Sequence, residues 1–201
     1  RASLTVTRGQ PALLIDANQW ISTVQPGIVW LATGWMNGLP VKVLDAFVEG
    51  RGELTARLAG FVTVAGGTGP DYDKGELMRF LSELPLHPDA ILNMAELQWR
   101  LLDARTVKVT AQSTSGPATV RFIFNERGEI VRMEADDRPM SGNGHTTPMP
   151  WHGTYVDYRN FGRYRLPAHG EVGWLMPDGL FTYWRGELIG YDVVPQGNPS
   201  L

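Results

Sequence analysis

One amphipathic helix sits between two long runs of strand-like sequence, and that imbalance constrains the fold more than any other feature. Leu77, Phe80, Leu81 and Leu84 fall at i, i+3, i+4 and i+7, the spacing of one continuous apolar stripe along a helix. Asp73, with Glu76 three residues later, reads as an N-cap and capping-box pair. Pro85 ends the pattern, so the spacing predicts a helix from Asp73 to Leu84. Pro88 to Leu92 adds a short turn with proline at its first position, giving a helical insertion over about residues 71–93. Elsewhere apolar and aromatic residues recur between Gly, Pro and Asp turn signals, which predicts about eleven antiparallel strands.

The strand segments run from Leu4 to Thr7, Ala12 to Ile21, Ile28 to Ala32, Val41 to Val48 and Glu53 to Leu58 before the insertion. After it come Leu97 to Leu102, Thr106 to Gln112, Ala118 to Phe124, Glu129 to Ala135 and the aromatic-rich stretch Trp151 to Tyr191. Gly66-Gly67-Thr68-Gly69-Pro70 breaks the strand pattern ahead of the helix, and Asp137 to Pro150 reads as a long loop suited to a lid. A helix of roughly twelve residues is ~18 Å long and cannot cover a flat sheet of that width. Curling the sheet around it solves the problem. The expected fold is therefore mainly β, a large curved antiparallel half-barrel with the helix on its concave face, and any uncovered remainder becomes an apolar cavity. No low-complexity linker divides the chain, so residues 1–201 are expected to form a single domain.

Composition narrows the functional classes. A formal net charge of −3, with scattered arginines rather than a basic stripe, offers no drive toward nucleic acid, and no nucleic-acid partner is expected. The absence of cysteine removes disulfides, thiol nucleophiles and thiolate metal sites. No apolar run approaches the ~20 residues of a bilayer-spanning helix. The chain opens on Arg1 rather than Met, which leads us to expect a further segment upstream. Membrane association through that segment, and a cell-envelope or exported location, are the matching expectations.

Four stretches carry a resemblance. They are Gly50-Arg51-Gly52-Glu53-Leu54 with Arg57-Leu58; Gly75 to Leu81 with Pro88 to Leu92; Trp99 with Leu102-Asp103; and Trp151 through Trp184, including Arg165-Leu166-Pro167 and Glu171-Val172-Gly173-Trp174. Together they resemble a family of uncharacterised bacterial proteins, often actinobacterial, whose order of strands, helical insertion and more strands is similar to the LolA/LppX lipoprotein-carrier half-barrels. The resemblance implies a fold and no catalytic residues. Leu86-His87 departs from the family pattern, where an aromatic pair is usual, and implies a different ligand shape if that position lines the cavity.

Motifs for catalysis are absent. His87, His145, His152 and His169 show no metal-ligand spacing, and no Gly-x-Ser-x-Gly elbow accompanies the serines. Gly66 to Gly69 lacks the Lys-Ser/Thr of a phosphate loop. No catalytic residue, metal site or cofactor is assigned. Of the carboxylates Glu53, Glu76, Asp103, Asp136, Asp137, Asp157 and Glu171, the simplest roles are the helix cap for Glu76 and pairing with Arg57, Arg165 or Arg185 for Glu53 and Glu171. Seven tryptophans are many for this length and suit an apolar pocket.

The expected function is a carrier or sensor that binds an apolar or amphipathic, lipid-like molecule between sheet and helix. Leu77, Phe80, Leu81 and Leu84 would form the helical wall, Trp99, Trp151, Trp174 and Trp184 the sheet wall, and Arg57 or Arg165 the polar anchor. Two alternatives stand beside it: a small-molecule enzyme using a cavity carboxylate such as Glu53 or Asp103, and a structural envelope module that binds partners through exposed sheet edges. Oligomeric state is not assigned.

Overall fold

The computed structural model describes residues 1–142 and 145–194. Its strands are β1 (Ala2–Leu4), β2 (Leu13–Ile21), β3 (Ile28–Met36), β4 (Leu39–Val48), β5 (Arg51–Leu58) and β6 (Val62–Thr68), then β7 (Gln98–Leu101), β8 (Thr106–Ser113), β9 (Gly116–Phe124), β10 (Ile130–Gly142), β11 (His145–Phe161), β12 (Tyr164–Met176) and β13 (Gly179–Glu187). Between β6 and β7 lie helix α1 (Pro70–Ser82), a 3-10 turn at Leu84–Leu86 and the short helix α2 (Pro88–Asn93). All strands join one 13-stranded antiparallel sheet in the order β6-β5-β4-β3-β2-β1-β13-β12-β11-β10-β9-β8-β7. The terminal strands β1 and β13 meet in its middle, and the helical insertion leaves from one edge and returns to the other.

The curl follows from which strands α1 touches. It packs against β4, β5 and β6 on one side and against β8, β9 and β10 on the other. In the sheet order β5 and β9 are nine places apart, ~43 Å at the usual inter-strand spacing. A helix about 10–12 Å across reaches both only if the sheet wraps around it. The mainly β half-barrel with a helix on its concave face is therefore the observed architecture, consistent with a LolA-like topology. Tight turns make the meander possible. Asn37-Gly38 joins β3 to β4 and Glu49-Gly50 joins β4 to β5, each with two consecutive positive φ values (51° and 79°, 51° and 80°), the pattern of two-residue type I′ hairpins.

The apolar stripe of α1 and the 3-10 turn after it faces a core drawn mainly from β8 to β11, joined by Ile28 of β3 and Phe47 of β4. Leu77, Phe80, Leu81 and Leu84 are 0–1 % exposed and pack with Val109, Val120, Phe122, Met133 and Trp151. Polar bonds fix the rest of the helix. The Asp73 carboxylate accepts from the buried Gly52 N–H at 2.7 Å and from the Ser115 hydroxyl at 2.5 Å. The Thr114 hydroxyl donates to the Gly50 carbonyl at 3.0 Å. At the other end, the Tyr155 hydroxyl donates to the Ser82 carbonyl at 2.6 Å.

Four expectations are corrected. The helix begins at Pro70 rather than Asp73, with Gly69 at the N-cap and no side-chain cap bond. Asp73 is needed by the sheet and Glu76 lies buried inside, so neither caps. Gly66-Gly67-Thr68 continues β6 rather than ending it, because β6 pairs with β5 as far as Thr68. Asp137 to Pro150 is not a loop: its described residues extend β10 and β11 in a long hairpin, with Pro139 opposite Pro148 and Ser141 opposite Thr146. Thirteen strands replace the expected eleven; β6, exposed along nearly all of its 7 residues, has no in-and-out alternation to announce it as a strand of its own, and β1 lies at Ala2–Leu4 rather than Leu4 to Thr7.

Two tests follow from this packing. At Gly52 an added Cβ would lie 2.2 Å from the Tyr72 carbonyl oxygen and 2.8 Å from the Asp73 nitrogen, so helix and β5 approach as closely as backbones can. Gly52→Ala is expected to cost about 1–3 kcal/mol in urea denaturation, and an unchanged midpoint would refute the close approach. His87 provides the second. Its Nε2 is buried without a partner and its ring lies 5.8 Å from that of Tyr191; burial pushes its pKa down to about 4. The unfolded chain therefore binds the proton more readily, and stability fully present above about pH 6.5 is lost as pH falls toward 4. The parent should lose about 1–3 kcal/mol more across that window than His87→Phe; parallel pH profiles would exclude His87 as the cause.

Candidate functional site

Helix α1 has two faces, and the sheet covers only one with apolar side chains. The other carries Gly75, Glu76, Arg79, Ser82 and Glu83 and borders a cavity of about 340 Å³. Trp30, Trp151, Trp174, Trp184 and Tyr183 form much of the sheet wall, with Leu4, Ile15, Val43, Leu54 and Val172 between them. Pro139, Met140 and Ser141 from the β10–β11 hairpin, with Asp71 and Tyr72 from the start of the helix, complete the lining. A 2.5 Å ion pair between Lys74 and Asp137 ties that hairpin to the helix.

A charged pole lies on the helix side. The Arg79 guanidinium donates to Asp45 Oδ2 through a short hydrogen bond, and its Nε lies 3.7 Å from Glu83 Oε1. Gln19 donates to the other Glu83 oxygen at 3.4 Å. Arg138 donates to the Tyr183 hydroxyl at 3.0 Å and lies 3.6 Å from Glu76 Oε1; the Trp151 indole N–H donates to the same hydroxyl at 3.2 Å. Both guanidinium groups are stacked on indoles, Arg79 at 5.0 Å from Trp30 and Arg138 at 4.1 Å from Trp151 and 5.7 Å from Trp174. Such stacking is favourable where water is excluded.

A β-bulge puts Arg138 there. Ala135 pairs with Trp151 and Arg138 with Met149, so β10 contains one more residue than its partner over that step. Met133 and Ala135 point inward, and strict alternation would send Asp137 in after them. The extra residue leaves Asp136 and Asp137 both outside and turns Arg138, 8 % exposed, to the concave side. Asp45 comes from β4, opposite Trp30 on β3.

Burial sets the electrostatics. It pushes the Glu76 carboxyl well above the ordinary carboxylate range, and the Asp45 carboxylate beside it adds to that; Arg138 and Arg79 pull the other way. Burial likewise raises Glu83 against the pull of Arg79. For Arg79 burial alone would lower the pKa, but Asp45, Glu83 and Glu76 outweigh it and hold the group charged. Asp45 Oδ1, Glu76 Oε2 and Arg138 Nε remain buried with no hydrogen-bond partner. Among the described residues no group of three His, Cys, Asp or Glu is arranged to hold a metal ion.

The sequence-predicted residues divide cleanly. Trp151, Trp174 and Trp184 line the cavity. Leu77, Phe80, Leu81 and Leu84 do not, because their stripe is consumed by the core. Trp99 lies on the edge strand β7, 38 % exposed and stacked on Phe122 at 6.4 Å. Arg57 is exposed on β5, and Arg165 pairs with Glu129 at 2.7 Å, so neither reaches the cavity. Leu86 and His87 also lie outside the lining. Glu53 is exposed and hydrogen-bonded by the Thr55 hydroxyl at 3.1 Å, Asp103 is an exposed turn residue, and Glu171 pairs with Arg185 at 3.1 Å. Sequence reasoning missed Asp45, Arg79, Glu83 and Arg138. The available signal was Glu76, Arg79 and Glu83 at i, i+3 and i+7, a second stripe on the same helix; nothing local announced the bulge before Arg138.

The ionic cluster is expected to be structural as well as exposed to the cavity. Arg79→Met strands Asp45 and Glu83 without their counter-charge and should cost about 3–5 kcal/mol in chemical denaturation. Adding Glu83→Leu to that variant should recover part of the loss. Equal stability of parent and single variant would mean the pair is solvated.

A family model described as a family of unknown function (DUF6544) matches residues 1–186. Neither a curated protein nor a solved structure gives a match.

Proposed function

From a chain that belongs to the DUF6544 family of unknown function, we propose a binding protein, a carrier or sensor, for a small amphipathic molecule held in the cavity between α1 and the curled sheet. One observation carries this reading: about 340 Å³ of space with aromatic walls and a charged pole is left where a sheet this wide outruns its single helix. That volume lies at the low end for small-molecule sites and equals roughly ten water volumes. It favours a single short chain or ring over a two-chain lipid. The apolar body would lie on Trp30, Trp174 and Trp184, driven by burial at ~25 cal/mol per Å² before ordering costs. The polar head would meet Asp45, Glu76 and Arg138.

A second reading has its own observation. Glu76, whose carboxyl burial and the neighbouring Asp45 push toward the protonated form, has the character of a general acid paired with a carboxylate base, as enzymes arrange such groups. It shares the cavity with the binding reading, so the cavity is what must be tested first.

Gly75 supplies the test. It lines the cavity, and a Cβ added there meets nothing within 4 Å. Gly75→Ala should stabilise the helix by about 0.5–1 kcal/mol, while Gly75→Phe is expected to project its ring into the space, with retention of the fold checked by circular dichroism. Titration with the neutral fluorophore N-phenyl-1-naphthylamine, and mass spectrometry of organic extracts from the purified protein, should show uptake by the parent and at least a tenfold loss in Gly75→Phe. Uptake unchanged by Gly75→Phe would place binding elsewhere and sink the proposal.

A further inference from the structure

We propose that the head group this cavity accepts is a monocation, an organic ammonium, seated between Asp45 Oδ1 and Glu76 Oε2. The inference rests on the reading of the cavity as a binding site and adds the chemistry of what it takes. Each of these carboxylates gives one oxygen to an arginine and keeps the other free: Asp45 Oδ2 is bonded by Arg79 and Glu76 Oε1 lies near Arg138, while Asp45 Oδ1 and Glu76 Oε2 are buried with no partner. Glu76 is 5 % exposed and borders the cavity. Buried acceptors without donors are rare in folded proteins; here the two carboxyls answer one another only through a proton on Glu76 hydrogen-bonded to Asp45, a proton that a cationic donor entering from the cavity can replace.

Charge counting gives the sign. The groups around this pole are Asp45 on β4, Glu76 and Arg79 on α1, Glu83 at its C-cap, Arg138 on β10 and Tyr183 on β13, with Asp71 at the start of the helix. At the pole itself three carboxyls face two guanidiniums. Both guanidiniums are committed, with their planes covered by Trp30, Trp151 and Trp174, so neither can move to satisfy the extra acid. One positive charge is missing. In the free protein a proton on Glu76 makes up the deficit, in keeping with its raised pKa beside Asp45. An ammonium can take that place and donate to both free oxygens, which a neutral hydroxyl does with at most one hydrogen. A carboxylate or phosphate head would instead meet three acids and find a single free donor, Arg138 Nε. The indoles beyond the pole then receive the carbon skeleton.

The experiment compares three probes that share one ring: cyclohexylmethylamine, cyclohexylmethanol and cyclohexanecarboxylate, titrated calorimetrically into the full chain. The amine should bind at least tenfold more tightly than the alcohol at pH 7, and the carboxylate more weakly than either. Because the amine replaces a proton, its affinity should rise from pH 5.5 to 8, with proton release seen as heat that depends on the buffer. Among the described residues no histidine borders the cavity, so an imidazole does not account for that pH dependence. Glu76→Gln should bring the amine down to the affinity of the alcohol; the pH series on the parent needs no variant and stands if Glu76→Gln fails to fold. Alcohol or carboxylate binding as tightly as the amine, or an amine affinity flat with pH, overturns the ammonium assignment and leaves the binding reading intact. No binding by any of the three sinks both.

Discussion

The carboxylate of Asp73 holds the curl of the sheet. Its two oxygens bond the Gly52 N–H, at the β4–β5 turn, and the Ser115 hydroxyl, at the β8–β9 turn. Those turns belong to opposite halves of the sheet order, and both are brought to the first turns of α1. Backbone twist alone makes a sheet curve, but it does not say where the edges stop. A buried carboxylate with two donors from the two halves does, because releasing either leaves a buried polar group unpaired. Gly52 permits the approach, and the bond from Thr114 to the Gly50 carbonyl repeats it one step outward.

Given that closure, the cavity is a consequence of geometry. A helix about 20 Å long inside a 13-stranded wrap cannot fill the whole concavity; its apolar stripe goes into a core drawn mainly from β8 to β11, with Ile28 and Phe47 from β3 and β4. Its opposite face, with Glu76, Arg79 and Glu83, is left toward β2 to β4 and β13, where the short α2 does not reach: none of its residues lines the cavity. Ordinarily such a face would be solvated. Here it is enclosed, and the desolvation is offset by pairing each guanidinium with carboxylates and stacking it on indoles. Two carboxylate oxygens escape that pairing, which is why the site has a polarity rather than being a plain apolar void.

Much of the frame was legible along the chain. Alternation and turn residues announce the strands on both sides of one amphipathic helix, and the mismatch between sheet width and helix length already demands a curl and a remainder. The tryptophans of β11, β12 and β13 could be named as wall residues because the strand pattern there is regular. What failed was local. Asp73 and Glu76 satisfy a capping rule by spacing, yet their side chains go to partners far away in sequence, and no spacing rule competes with a buried long-range bond. Gly, Pro, Ser and Thr between Asp137 and Pro150 suggested a loop because composition is blind to cross-strand pairing.

By itself, then, the sequence determined the class of fold, the single helix and the existence of uncovered sheet, since these depend on periodicities of 2 and 3.6 residues that neighbouring residues encode. Only the tertiary structure decided which face of the helix borders the cavity and which charges share it. Asp45, Glu76, Arg79 and Arg138 come from three elements far apart along the chain, and Arg138 points inward only because one extra residue in β10 shifts its register against β11. Burial, which gives those charges their chemistry, is a property of the closed sheet and of no segment within it.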